Sequence, residues 1–159
     1  EVRFLDLPNQ ELDQIPLLKI IKEIEKEVHE TKASIIFTHH YNDLNLDHRV
    51  AYEATITAAR PIPDSKVSSI ISFEIPAATD WRKPYKFNPN LYIDISSQLT
   101  AKINALKAYQ YEFRKPPHPR SKEITDAVAK RWGSLSGFKA AEAFEIIFSR
   151  MNNLENISL

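Results

Sequence analysis

The chain has no cysteine, and its 159 residues include only two glycines, Gly133 and Gly137. Without thiols neither a disulfide framework nor a thiolate zinc site can form, so any metal must be held by His, Asp or Glu. Two glycines at that spacing build neither a GxGxxG turn nor a GxxxxGK[ST] loop, which excludes nucleotide binding of those kinds. No apolar run approaches the ~20 residues needed to span a bilayer. No charged-then-apolar leader opens the sequence, so the cytoplasm is the expected location. Nor is there an excess of either charge: Lys plus Arg and Asp plus Glu are 21 each. That balance denies the chain the broad basic field that holds nucleic acid by its phosphates, and no nucleic-acid partner is expected.

What is present is an ordinary globular balance, 43% hydrophobic and 26% charged residues, on a length that suits one domain over 1–159. Glu1 to Asp6 reads as a strand already under way, with no initiator Met. Asp13 stands at a helix N-cap position with Pro16 near the first turn. Leu17, Leu18, Ile21, Ile24 and Val28 then recur at helical spacing, which predicts an amphipathic helix. Ser34 to Thr38 is a short apolar run of the kind buried on both faces of a sheet.

A polar loop over 39–46, a helix over 47–59 and a strand over 67–73 follow. A proline-rich connection occupies 76–89. Next come a strand over 91–95, a helix capped by Ser96 and running to about Phe113, a break at Pro116-Pro117-His118-Pro119, and a helix over 121–135. The run 141–148 reads as a strand or a helix. Strands alternating with covering helices predict an α/β layered, Rossmann-like domain with a mostly parallel sheet flanked by helices.

In open α/β sheets ligands bind beyond the carboxyl ends of the strands. Four of the five histidines fall in segments of that kind: His39, His40, His48 and His118. His29 belongs to the outer face of the first helix. The densest cluster is His39, His40, Asp43, Asn45, Asp47 and His48. Imidazole and carboxylate are the ligands a catalytic zinc takes when thiolate is absent. The same residues also read as a polar loop with Asp47 as a helix N-cap, and spacing alone does not choose between the two. Glu74 and Trp81 flank the long connection, where a Trp serves either a sugar or the core. His118 and Arg120 read as contacts to a sugar hydroxyl or phosphate, and equally as a turn pinned by prolines. Arg114, Lys115, Arg120 and Lys122 form a local basic patch, suited to an anionic substrate or simply to solvent.

Thr38-His39, followed after a short loop by Asp47-His48-Arg49-Val50, resembles the LmbE/PIG-L family of zinc-dependent N-deacetylases. In that family a strand ends in a Thr-His-type step and an Asp-His-x-x-Val motif opens a helix. Further family-like features follow in order: Phe73-Glu74-Ile75-Pro76 with Trp81, Ile93-Asp94-Ile95, Lys107-Ala108-Tyr109, His118-Pro119-Arg120-Ser121 and Ala141-Glu142-Ala143-Phe144.

The resemblance implies an LmbE-like fold and a zinc cofactor, with His48 as one of three protein ligands. Asp47 would orient neighbouring polar groups, and His39, His118, Arg120, Glu74 and Trp81 would face a small-molecule N-acetylated amino-sugar substrate. Zinc would act as Lewis acid on the acetamide carbonyl, with a carboxylate taking the proton. The family carries its other two zinc ligands and that base in a His-Pro-Asp-Asp motif after the first strand. This motif has no counterpart in 1–159, where His118-Pro119 is followed by Arg120. The chain is therefore expected to be an N-terminally incomplete domain, inactive alone. Asn45 stands where some members place an oxyanion-stabilising histidine; an amide donates a hydrogen bond but carries no charge.

Two functions follow as expectations. One is a hydrolase that removes acetyl from an N-acetylglucosamine-type conjugate. The other is a non-catalytic relative that binds a sugar or a protein. A sheet that lacks an inner strand exposes hydrogen-bonding edges, so poor stability or pairing into a homo-oligomer is expected of the chain alone.

Overall fold

The computed structural model describes residues 1–151. Its strands are hydrogen bonded in the order β1-β2-β4-β3, and the chain divides into two compact units. The α/β class expected from the sequence is the one found, with a mixed sheet: β1 (Ile35–His39) and β2 (Ser69–Phe73) are parallel, and β3 (Leu91–Asp94) is antiparallel to β4 (Ala141–Ser149).

Among the described residues, the first unit comprises 1–73 and 146–151. Helix α1 (Leu17–Thr31) follows Pro16, whose missing N–H costs nothing at a helix start, and it ends on Lys32 in the left-handed region. Ile20 and Ile21 are its buried residues, packed with Ala54 of helix α2 (Leu46–Ala58) and with Leu12 and Ile15. Leu17 and Leu18 lie toward solvent instead. A second cluster, Ala59, Val67 and Ile70, takes in Val28, Ile36, Ile147 and Phe148. In-register parallel pairing from Ile35↔Ser69 to His39↔Phe73 brings the carboxyl ends of β1 and β2 side by side.

Three expectations are corrected here. Glu1 to Asp6 is not a strand: Val2 and Phe4 are 77% and 82% exposed, and Arg3 is instead bonded to Glu27 and Glu30 of α1. Asp13 is not the cap of α1; it lies inside a 3-10 turn, Leu12–Gln14. Strand β1 is not buried on both faces, since Ile35 and Phe37 are 51% and 49% exposed. An apolar run reports an affinity for burial but not whether a neighbour is there to provide it, and β1 stands at the end of the strand order.

The second unit spans Glu74–Glu145. Helix α3 (Leu99–Lys107) is shorter than the sequence predicts, and its cap is Gln98 rather than Ser96, whose hydroxyl is engaged with Asp94 and the chain at Ala140. Turns replace the helix over 108–113. Helix α4 (Lys122–Ser136) begins at Ser121, whose side chain accepts from the Ile124 N–H, and ends on Gly137 at φ 81°. Trp132 of α4 is 5% exposed and packs with Phe87, Ala141, Ala143 and Tyr92. The ambiguous run 141–148 is a strand, and its alternate residues Ala141 and Ala143 carry this core.

Candidate active site

In the first unit, the loop between β1 and α2 is built from short polar side chains that bond the backbone two residues on. The Asp43 carboxylate accepts from the Asn45 N–H at 2.8 Å, and the Asn45 side chain accepts from the Asp47 N–H at 2.8 Å as the N-cap of α2. Such Asx turns compete with extended backbone and fix a tight loop. Arg49 closes it from the helix side by donating to the Asp43 and Leu44 carbonyls at 2.6 and 2.9 Å. His40, fully buried, is part of the same framework, its Nδ1 accepting from the Asn42 N–H at 3.1 Å.

This loop places His48, in the first turn of α2, against His39 at the end of β1. The two imidazoles stack with centroids 3.9 Å apart and planes within 4°. Phe73, the register partner of His39, stands 5.1 Å from the His39 ring. On its edge, His48 presents Nδ1 to the fully buried Asp43, whose Oδ1 is 3.1 Å away, although no aligned hydrogen bond is completed at Nδ1. Burial, with the neighbouring His48 adding to it and Asp43 opposing, holds the His39 pKa down to about 4. His39 is therefore neutral at pH 7.

Asp47 lies beside this pair in sequence, but its carboxylate is directed elsewhere. It accepts from the backbone N–H groups of Gln10 at 2.6 Å and Leu12 at 3.1 Å, anchoring the segment ahead of α1 to the start of α2. Asp43 is the residue that the sequence reading left without a role. The signal for it was the alternation Asp43, Asn45, Asp47, in which each side chain serves a backbone N–H of the next or of a distant segment.

In the second unit, Glu74 is largely buried. It accepts from the Trp132 indole N–H at 2.8 Å and the Tyr85 hydroxyl at 3.2 Å. Burial pushes its pKa up, and the two donors offset part of that rise. Its bonds thus tie the start of the long connection to α4. Trp81 is 49% exposed and stands edge-on to His118 at 5.2 Å. His118 Nδ1 accepts from the Arg120 N–H at 3.1 Å, while the Arg120 guanidinium reaches the Pro76 carbonyl at 3.0 Å and pairs with Glu112. Trp81, His118 and Arg120 thus form one surface group, and the Arg120 charge is already partnered. His39, Asn45, Asp47 and His48 form the other group, in the first unit.

A catalytic zinc takes three protein ligands and one open position. His48 suits one such place, its Nδ1 edge facing a carboxylate and leaving Nε2 for a metal. Among the described residues, however, no group of three His, Asp or Glu side chains is arranged to hold a metal. The set does not complete a zinc site. A cleft of about 530 Å³ in the first unit, lined by Ser65, Lys66, Ser68, Ser149 and Arg150 among others, shares no residue with the histidine pair.

Residues 1–59 match the family described as PIG-L, GlcNAc-PI de-N-acetylase. Among solved structures, a conserved protein of Thermus thermophilus superposes with a TM-score of 0.70 at 16% identity, over 97% of this chain and 69% of that one. The N,N'-diacetylchitobiose deacetylase of Pyrococcus horikoshii, solved with its inhibitor MPG, gives 0.67 at 17% identity, over 96% of this chain and 61% of that one. GalB of Pseudomonas putida, a 4-carboxy-2-hydroxymuconate hydratase, gives 0.63 at 17% identity, over 86% of this chain and 61% of that one. The segment that matches this family, 1–59, contains β1, the Asx-turn loop and the whole of the histidine-bearing helix.

Proposed function

We propose that this chain serves in a zinc-dependent hydrolase that removes the N-acetyl group from an N-acetylglucosamine-type conjugate. The observation that supports the reading best is the His48–Asp43 pair at the carboxyl end of β1, inside the segment that matches a de-N-acetylase family. His48 is the ligand this chain contributes; its described residues do not supply the full set. Zinc, when bound, supplies Lewis acidity at an amide carbonyl. His39, neutral and stacked on His48, fixes the plane of the ligand ring. Asn45 spends its side-chain oxygen on the helix cap and keeps its NH₂ group as a donor to the substrate carbonyl oxygen. Trp81, with His118 and Arg120, offers an exposed aromatic face and polar groups of the kind that receive a sugar. Asp47 acts by holding residues 10–12.

A second reading is a relative that binds a glycan without turning it over. It draws support from Asn45, a neutral amide already engaged as a cap, and from the hydratase that shares the fold, which shows that the fold does not fix the reaction. The full-length natural protein decides between them. We expect it to carry zinc by elemental analysis and to release acetate from an N-acetylglucosamine conjugate. His48→Ala should lose both. Glycan binding with neither zinc nor acetate would establish the second reading and remove the first.

A further inference from the structure

We propose that Asp43 is a positioning residue that sets the tautomer of His48, holding the proton on Nδ1 so that the Nε2 lone pair is the one presented outward. The proposal deepens the function above only in the use it gives to Nε2; the relation between the two side chains stands without a metal.

A neutral imidazole carries a proton on one nitrogen and a lone pair on the other, and its neighbours decide which. Asp43 is fully buried, and its Oδ1 stands 3.1 Å from His48 Nδ1. That oxygen is an acceptor, since it already takes the Asn45 N–H. A lone pair on Nδ1 at that distance would meet the lone pairs of Oδ1, whereas a proton there meets an acceptor. This preference needs only proximity, so it holds even though the contact is not aligned as a hydrogen bond.

The carboxylate cannot swing away to relieve the contact. The same Oδ1 accepts from the Asn45 N–H at 2.8 Å, and Arg49 clamps the Asp43 carbonyl at 2.6 Å. Nor can the imidazole rotate freely, because the parallel His39 ring covers one of its faces at 3.9 Å. Brace, stack and helix start together leave His48 one orientation. A carboxylate on the far nitrogen of a metal-binding histidine also raises the basicity of the ligand nitrogen.

The test is a long-range ¹⁵N–¹H spectrum of the metal-free protein, labelled at histidine and recorded above the pH at which imidazole titrates, with His48 assigned from His48→Gln. In the wild type we expect a protonated Nδ1 and an unprotonated Nε2. Asp43→Ala should move the pattern toward the mixture of tautomers seen for free imidazole. Asp43→Asn keeps the oxygen that serves Asn45 N–H, and hence the turn, but replaces the carboxylate by an amide, a weaker acceptor; it should shift the Nδ1 proton resonance upfield. A wild-type His48 protonated at Nε2 would overturn the proposal. So would an Nδ1 signal unmoved in Asp43→Asn, a comparison that remains readable where Asp43→Ala does not fold.

In the zinc-loaded full-length protein, Asp43→Ala should weaken zinc binding by about 10–100-fold. A wild-type protein that takes up no zinc would remove the proposed hydrolase, while the spectrum would still decide the role of Asp43.

Discussion

At the scale of single residues, carboxylates of similar chemistry do different work because their surroundings differ. Asp43 faces a histidine, Asp47 faces two backbone N–H groups, and Glu74 is buried against Trp132 and Tyr85. Removing the Asp47 carboxylate takes a charged acceptor from the part-buried Leu12 N–H and leaves the exposed Gln10 N–H to water. Asp47→Ala should cost about 1–3 kcal/mol and speed hydrogen exchange at the Gln10 and Leu12 amides, while exchange inside α4 should stay unchanged. Glu74 makes the opposite kind of prediction. Its folded pKa lies above the ordinary 4.5 because burial disfavours the charged form. The folded state therefore holds the Glu74 proton more tightly than the unfolded state does, and stability falls as pH rises from 4.5 through the raised value. Glu74→Gln keeps an acceptor for the indole and removes the titration. Its melting temperature relative to wild type should climb between acid and neutral pH; parallel curves would show that Glu74 carries no such linkage.

At the scale of elements, both glycines of the chain serve the same junction, the end of α4 and its approach to β4. A Cβ on Gly133 would stand 2.7 Å from the Phe138 carbonyl oxygen and 2.8 Å from the Ala140 backbone. Those atoms are main chain and cannot turn aside. Gly137 has open space around it but a φ of 81°. Gly133→Ala should thus destabilise by about 1–3 kcal/mol through overpacking, and Gly137→Ala by about 1 kcal/mol through strain alone. Chemical denaturation of the two variants separates these causes, since only the first should also shift the near-ultraviolet signal of Trp132, its chain neighbour, buried in the unit's core. The elements of this junction were legible in the sequence, because Ser121, Gly137 and the helical spacing between them mark both ends of α4. Strand β1 was legible as a strand but not as an exposed one. Periodicity records which side chains are apolar, whereas exposure depends on what stands beside them.

At the scale of the molecule, the shared architecture does not choose a reaction. A deacetylase and a hydratase both superpose on the chain at 17% identity, so activity must be argued from the residues at the strand ends. The exposed strand has its own consequence. Ile35 and Phe37 lie on the same face of β1, at the end of the strand order, and both are about half exposed. Edges of this kind pair with other chains unless charge blunts them. The isolated chain should show concentration-dependent association in analytical ultracentrifugation, and Ile35→Lys with Phe37→Lys should suppress it. A wild-type chain that stays monomeric over the same concentrations would contradict the expectation.

The sequence by itself determined the α/β class, the helices α1, α2 and α4, the exclusion of thiolate and glycine-loop chemistry, and the cluster from His39 to His48. These rest on residue type, spacing and order, which the chain states directly. Only the tertiary structure decided how the cluster is divided. It stacks His39 on His48, brings the buried Asp43 to His48, and sends Asp47 away to residues 10–12. The physical reason is that Asp43 and Asp47 are alike in the sequence, each a carboxylate in a polar loop, and their roles differ only in what folding places within about 3 Å of their oxygens.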